Sequence, residues 1–69
     1  MENLKISLVA ARVNAGLTQA EVAEKLHVSN KTIVNWEKGI VVPNFATIHM
    51  LSVLYKIPED NIFLPMKST

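Results

Sequence analysis

The sequence predicts an all-α domain of five short helices, with the second and third joined by a turn too tight to let one run on into the other. Three observations carry this. Apolar residues recur at the three-to-four-residue spacing of a helical face. Side chains able to cap a helix, Thr18, Ser29 and Asn44, stand just before three of the periodic segments, and Gly16 and Gly39 stand just after two of them. Sixty-nine residues leave room for one domain with one modest core, expected over residues 4–64 with a tail at 65–69.

The first helix is expected from Leu4 to Ala15, because Leu4, Leu8, Ala11 and Ala15 share a face and Gly16 offers the left-handed residue that ends a helix. Thr18 caps the second helix, and Glu21 three residues later completes a capping box in which each side chain satisfies the other's backbone N–H. That helix runs to about Leu26 and buries Val22, Ala23 and Leu26. Ser29 caps a third helix over residues 30–38, which turns Ile33 and Trp36 inward and closes at Gly39. Pro43 breaks helicity in the loop that follows, since it disfavours the α region at Val42 and has no N–H to donate. Asn44 restarts it: Phe45, Ile48, Leu51, Ser52 and Tyr55 share one face of a fourth helix. Pro58 suits the first turn of a short fifth helix carrying Ile62 and Phe63.

Composition excludes more than it identifies. The hydrophobic fraction is 49%, yet no stretch has the roughly 20 apolar residues of a membrane span, so a soluble, cytoplasmic protein is expected. The absence of cysteine removes disulfides and thiolate zinc sites, and His27 and His49 are too far apart to suggest a metal site. Neither a nucleophile–base–orienter set nor a phosphate loop is present, so no catalytic residue, cofactor or small-molecule ligand is expected. Six lysines and Arg12 stand against five glutamates and Asp60, a formal net charge of +1. Because Lys25, Lys31 and Lys38 are interleaved with Glu21, Glu24 and Glu37, charge does not by itself announce a nucleic-acid partner.

Spacing does. Two short helices with about three residues between them must cross steeply, which lets the second lie in a DNA major groove. Ala23 is small where the pair approaches most closely, Val28 is apolar inside the turn, and Ile33 and Trp36 pack the third helix onto the second. The string from Thr18 to Leu26, the segment Val28-Ser-Asn-Lys-Thr-Ile, and Trp36-Glu-Lys-Gly followed by Pro43 resemble the phage-repressor and Cro-like (XRE-type) helix-turn-helix family of transcriptional regulators. The resemblance covers Leu4 to Leu64 and implies a five-helix, lambda-repressor-like domain.

It also implies site residues. Gln19, in the first turn of helix two, matches the position that sets a side-chain amide and backbone N–H against a DNA phosphate. Asn30, Lys31, Val34 and Asn35 fall on the outward side of helix three as base-reading residues. Asparagine can pair with adenine, lysine with guanine, and valine can pack on a thymine methyl. Thr32 and Lys38 suit phosphates. Arg12 and Glu37 match an ion pair that relatives use to tie helix one to the end of the recognition helix. Such a pair is structural if partly buried and worth about 1 kcal/mol or less if exposed. His27 departs from the glycine the family most often has in the turn. Ile40-Val41-Val42 replaces residues that are often polar or basic, which puts side-chain phosphate contacts from that loop in doubt.

A second apolar face stands out on helix one, formed by Ile6, Val9, Ala10 and Val13, and another on helix four, formed by Met50, Val53 and Leu54. Exposed apolar patches mark association surfaces, and half-sites about 34 Å apart suit a two-fold dimer. A homodimer through Met50, Val53, Leu54, Ile62 and Phe63 is therefore expected. The competing reading covers helix one's extra face with the tail from Ile62 to Met66. The expected function is a nucleoid-associated, sequence-specific regulator, a repressor occupying a palindromic operator. The alternative is a protein-interaction module of antitoxin or anti-repressor type on the same fold.

Overall fold

A computed structural model describes residues 5–64. Its order is strand β1 (Ile6–Ser7), helices α1 (Leu8–Asn14), α2 (Gln19–Leu26), α3 (Asn30–Lys38) and α4 (Phe45–Tyr55), a 3-10 turn (Glu59–Asn61) and strand β2 (Ile62–Phe63). Among the described residues there are four α-helices, not five.

The helix ends follow the capping chemistry. Thr18 Oγ1 accepts from the Glu21 N–H at 3.1 Å while Glu21 Oε1 accepts from the Thr18 N–H at 2.8 Å, a complete capping box. Ser29 and Asn44 cap α3 and α4 by accepting from the backbone N–H groups of Thr32 and Thr47. Gly39 closes α3 in the left-handed region, at φ 78°. His27 does the same for α2 at φ 58°, without glycine's freedom. Lys56 ends α4 at φ 59°, a closure that nothing at Lys56 itself announces.

Two elements differ from expectation. The first helix starts at Leu8, because Ser7 Oγ accepts from the Ala10 N–H at 3.1 Å and caps it there. Of the face assigned to it, Leu8 and Ala11 are buried, Ala15 is exposed at the helix end, and Leu4 lies outside the described residues. The expected fifth helix is a single 3-10 turn after Pro58, from which Ile62 and Phe63 leave as a strand. Parallel pairing with β1 supplies the reason: Ile6 aligns with Ile62 and Ser7 with Phe63, and β-branched isoleucine suits an extended backbone. Lys5 Nζ adds a bond to the Asp60 carbonyl at 2.6 Å.

One core joins every helix. Leu8 and Ala11 of α1, Val22 and Ala23 of α2, Ile33 and Trp36 of α3, Leu51 and Tyr55 of α4, and Ile62 of β2 are all buried. Leu26, the last residue of α2, and Val28 of the turn pack against it. Neighbouring strand residues point to opposite faces, so Ile62 is 6% exposed while Phe63 is 51% exposed. Ile62 is thus a core residue, closed to the dimer surface expected of it. Phe45, expected on the buried face of α4, is 81% exposed. As the first residue of the helix it lies beyond the turn that Leu51 and Tyr55 bury.

Ile62→Ala should therefore cost about 2 to 5 kcal/mol of stability, and Phe63→Ala no more than about 0.5 kcal/mol. Urea unfolding followed by the fluorescence of the single, buried Trp36 measures both.

Candidate nucleic-acid interface

The inward face of α3 is occupied by Ile33 and Trp36, and this decides what the other face presents. Asn30 and Lys31 are exposed, Val34 and Asn35 are half-buried, and Lys38 is exposed at the end of the helix. The four residues expected to read bases thus form two classes, two projecting freely and two lower on the helix flank. The loop after Gly39 is apolar and open, with Ile40, Val41 and Val42 each about half exposed.

Thr32 is half-buried, and its hydroxyl lies 2.9 Å from Ser29 Oγ. Two hydroxyl hydrogens are available to this pair and one lies between the oxygens, so the other can still serve an outside acceptor.

The most strongly bonded cluster lies behind the interface. Arg12 Nε donates to Glu37 Oε2 at 2.7 Å, with Arg12 Nη2 3.4 Å from Oε1. The two side chains are only 14% and 5% exposed, so the ion pair is of the partly buried kind. Arg12 Nη1 donates to the Leu17 carbonyl at 3.0 Å. Gln19 Nε2 donates to Glu37 Oε1 at 2.9 Å. Glu37, at the end of α3, therefore receives donors from α1 and from the start of α2. The bonds to the Leu17 carbonyl and from Gln19 are not among the sequence expectations. The only sign of the second in the sequence is that Gln19 follows the cap, where the start of α2 meets the end of α3.

Electrostatics follow from this burial. The hydrogen bond to Glu37 holds the Arg12 guanidinium above its ordinary value, with the carboxylate's charge adding to it and desolvation opposing it. Tyr55, buried on α4, is pushed up to about 12, first by desolvation and then by the Glu37 charge, with Arg12 opposing. A hydroxyl whose folded value is raised contributes stability that is fully present below its ordinary value of 10.0 and is lost as pH rises toward about 12. Among the described residues no group of three or more His, Asp or Glu side chains is placed to hold a metal ion, and no helix is long and apolar enough to cross a membrane.

Two outcomes are expected. Arg12→Met strands the Glu37 carboxylate and should cost about 3 to 5 kcal/mol, most of it recovered when Glu37→Leu is added, because an apolar pair of similar volume removes the stranded charge. Denaturant unfolding of the two variants tests this. Tyr55 is the chain's single tyrosine, so tyrosinate absorbance reports it alone. In the folded protein it should titrate near 12 rather than 10, and stability should fall across that window. Tyr55→Phe should abolish the fall.

Comparison with known proteins agrees with this geometry. A helix-turn-helix family profile matches residues 8–62. The HTH-type transcriptional regulator ImmR of Bacillus subtilis (strain 168) is 42% identical over 53 residues, which are 77% of this chain and 42% of the relative. Antitoxin HigA-2 of Vibrio cholerae is 33% identical over 52 residues, 75% of this chain and 50% of the relative. The HTH-type transcriptional activator BcrR of Enterococcus faecalis is 33% identical over 51 residues, 74% of this chain and 25% of the relative. The chain thus spans between a quarter and a half of the length of these relatives. With the profile running from the start of α1 to the first residue of β2 and the two-helix unit in place, the chain belongs to the XRE-type helix-turn-helix family of DNA-binding regulators.

Proposed function

We propose that the chain binds double-stranded DNA sequence-specifically, with α3 in the major groove, and acts in the cytoplasm as a nucleoid-associated repressor occupying an operator. The observation that carries this is the division of α3: Ile33 and Trp36 fasten one face to the core, which leaves Asn30, Lys31, Val34 and Asn35 on the side turned from it. Asn30 and Lys31 project furthest and take the directional contacts to base edges. Val34 and Asn35 approach the groove floor only when the helix is fully seated. Gln19, Thr32 and Lys38 contact phosphates and set the helix's register.

A homodimer on a palindromic site suits this reading. Met50 is 46%, Val53 64% and Phe63 51% exposed, while Leu54 is half-buried against the core and contributes its outer edge. Val9 and Val13 of α1 are also exposed, which favours association over coverage from within the described residues. The tail invoked by the competing reading reaches Met66, outside those residues. The same apolar surface, with an antitoxin among the relatives, favours a second reading in which another protein is the partner.

Selection of bound sequences from a random DNA pool tests the reading. A recovered palindrome, with binding that falls steeply as salt rises, supports a dimeric DNA reader; salt-indifferent capture of a protein partner with no recovered sequence supports the second reading. On the recovered duplex, Lys31→Ala or Asn35→Ala should each cost about 1 to 3 kcal/mol and relax preference at one position, whereas Gln19→Ala should weaken binding evenly across sequences. A monomer mass by sedimentation at every concentration, with and without the duplex, would sink the dimer.

A further inference from the structure

Gln19 is the chain's sole glutamine, and its amide is not a loose surface group. It is half-buried, and its Nε2 donates to Glu37 Oε1 at 2.9 Å. A carboxylate only accepts, so the nitrogen end of the amide must face it, and chemistry fixes the orientation. Glu37 is itself held, since its other oxygen takes Arg12 Nε at 2.7 Å and its side chain is 5% exposed. Arg12 is held by the Leu17 carbonyl at 3.0 Å. The bonds from Leu17 through Arg12 and Glu37 to Gln19 therefore close a ring whose two ends lie two residues apart, on either side of the Thr18 cap.

We propose that Glu37 is a positioning residue for DNA contact: by holding one Nε2 proton of Gln19 it aims the second at a backbone phosphate. This rests on the DNA-binding reading above. The planar amide fixes the direction of the second proton once the first is engaged. Beside it are the N–H groups of Gln19 and Ala20 in the first turn of α2, which no carbonyl within the helix can reach. The side chain is thereby ordered during folding and not during binding, so the entropy of fixing it is not charged against affinity. A purely structural role for Glu37 would loosen α3 and weaken every contact alike. A positioning role removes the contribution of Gln19 in particular.

The full chain, bound to a duplex recovered by selection from random DNA, separates the two. Four proteins are compared: wild type, Gln19→Ala, the apolar replacement Arg12→Met with Glu37→Leu, and all three changes together. In the wild-type background Gln19→Ala should weaken binding about tenfold, the scale of a hydrogen bond to a charged group. In the apolar background the amide has no anchor, and the same change should weaken binding less than about threefold. An equal factor in both backgrounds overturns the proposal while DNA binding stands. A wild-type chain that recovers no duplex overturns the DNA reading itself, and this inference with it. If Trp36 fluorescence reports the apolar variant unfolded, solvent exchange of the Gln19 side-chain amide protons in the wild-type protein decides. Exchange slower than that of the exposed Asn30 amide supports the anchor, and equal rates refute it.

Discussion

The carboxylate of Glu37 is the point on which the two-helix unit depends. It sits at the last turn of α3 and is almost fully withdrawn from solvent, a position that an isolated charge could occupy only at a cost of several kcal/mol. Donors from α1 and α2 make it tenable: Arg12 supplies Nε at 2.7 Å and Gln19 supplies its amide at 2.9 Å. Two neutral apolar residues could fill the same space, but they would not specify direction. Hydrogen bonds to both oxygens do, and they tie the angle of α3 to both preceding helices. Tyr55 of α4 is raised first by its burial and then by the Glu37 charge, and it shares the core with the residues of α1, α2 and α3.

The legible part of this fold was the part written in local chemistry. Thr18 with Glu21, Ser29, Asn44, Gly16 and Gly39 mark their helix boundaries because a cap or a left-handed residue acts within a few positions of itself. Ser7 caps α1 by the same local chemistry, although the apolar periodicity continues back to Leu4. What could not be read locally was the fate of Ile6 and Ile62. Each fits a helical face in its own segment, and only their meeting across more than fifty residues turns both into strand. Lys56 takes the left-handed position at the end of α4 with no glycine or asparagine to signal it. Pro58 two residues later already requires the helix to have ended.

At the candidate site the same division holds. The inward and outward faces of α3 follow from a 3.6-residue period, so the exposure of Asn30 and Lys31 was readable. The Arg12–Glu37 pair was readable only through family resemblance, and its burial not at all, since burial depends on how three helices converge. The Gln19–Glu37 bond lies one step further out, a contact eighteen residues apart between polar side chains that composition treats as ordinary surface.

A formal net charge of +1 limits how such a domain can hold DNA. Binding driven by phosphate neutralisation grows with the number of cations brought to the backbone, and here Lys31 and Lys38 on α3 share their helix with Glu37. Glu37, however, is spent internally on Arg12 and Gln19, so it presents little negative charge to an approaching phosphate. The outward side of α3 therefore presents Lys31 and Lys38 without that carboxylate, while the charge of Arg12 is engaged in the same pair. On the proposed reading, affinity then comes from a few directional bonds ordered in advance and from two copies acting on one site. On that reading the exposed apolar residues of α1 and α4, by bringing two copies together, offset a shortage of charge that the internal Arg12–Glu37 pair leaves unchanged in sum.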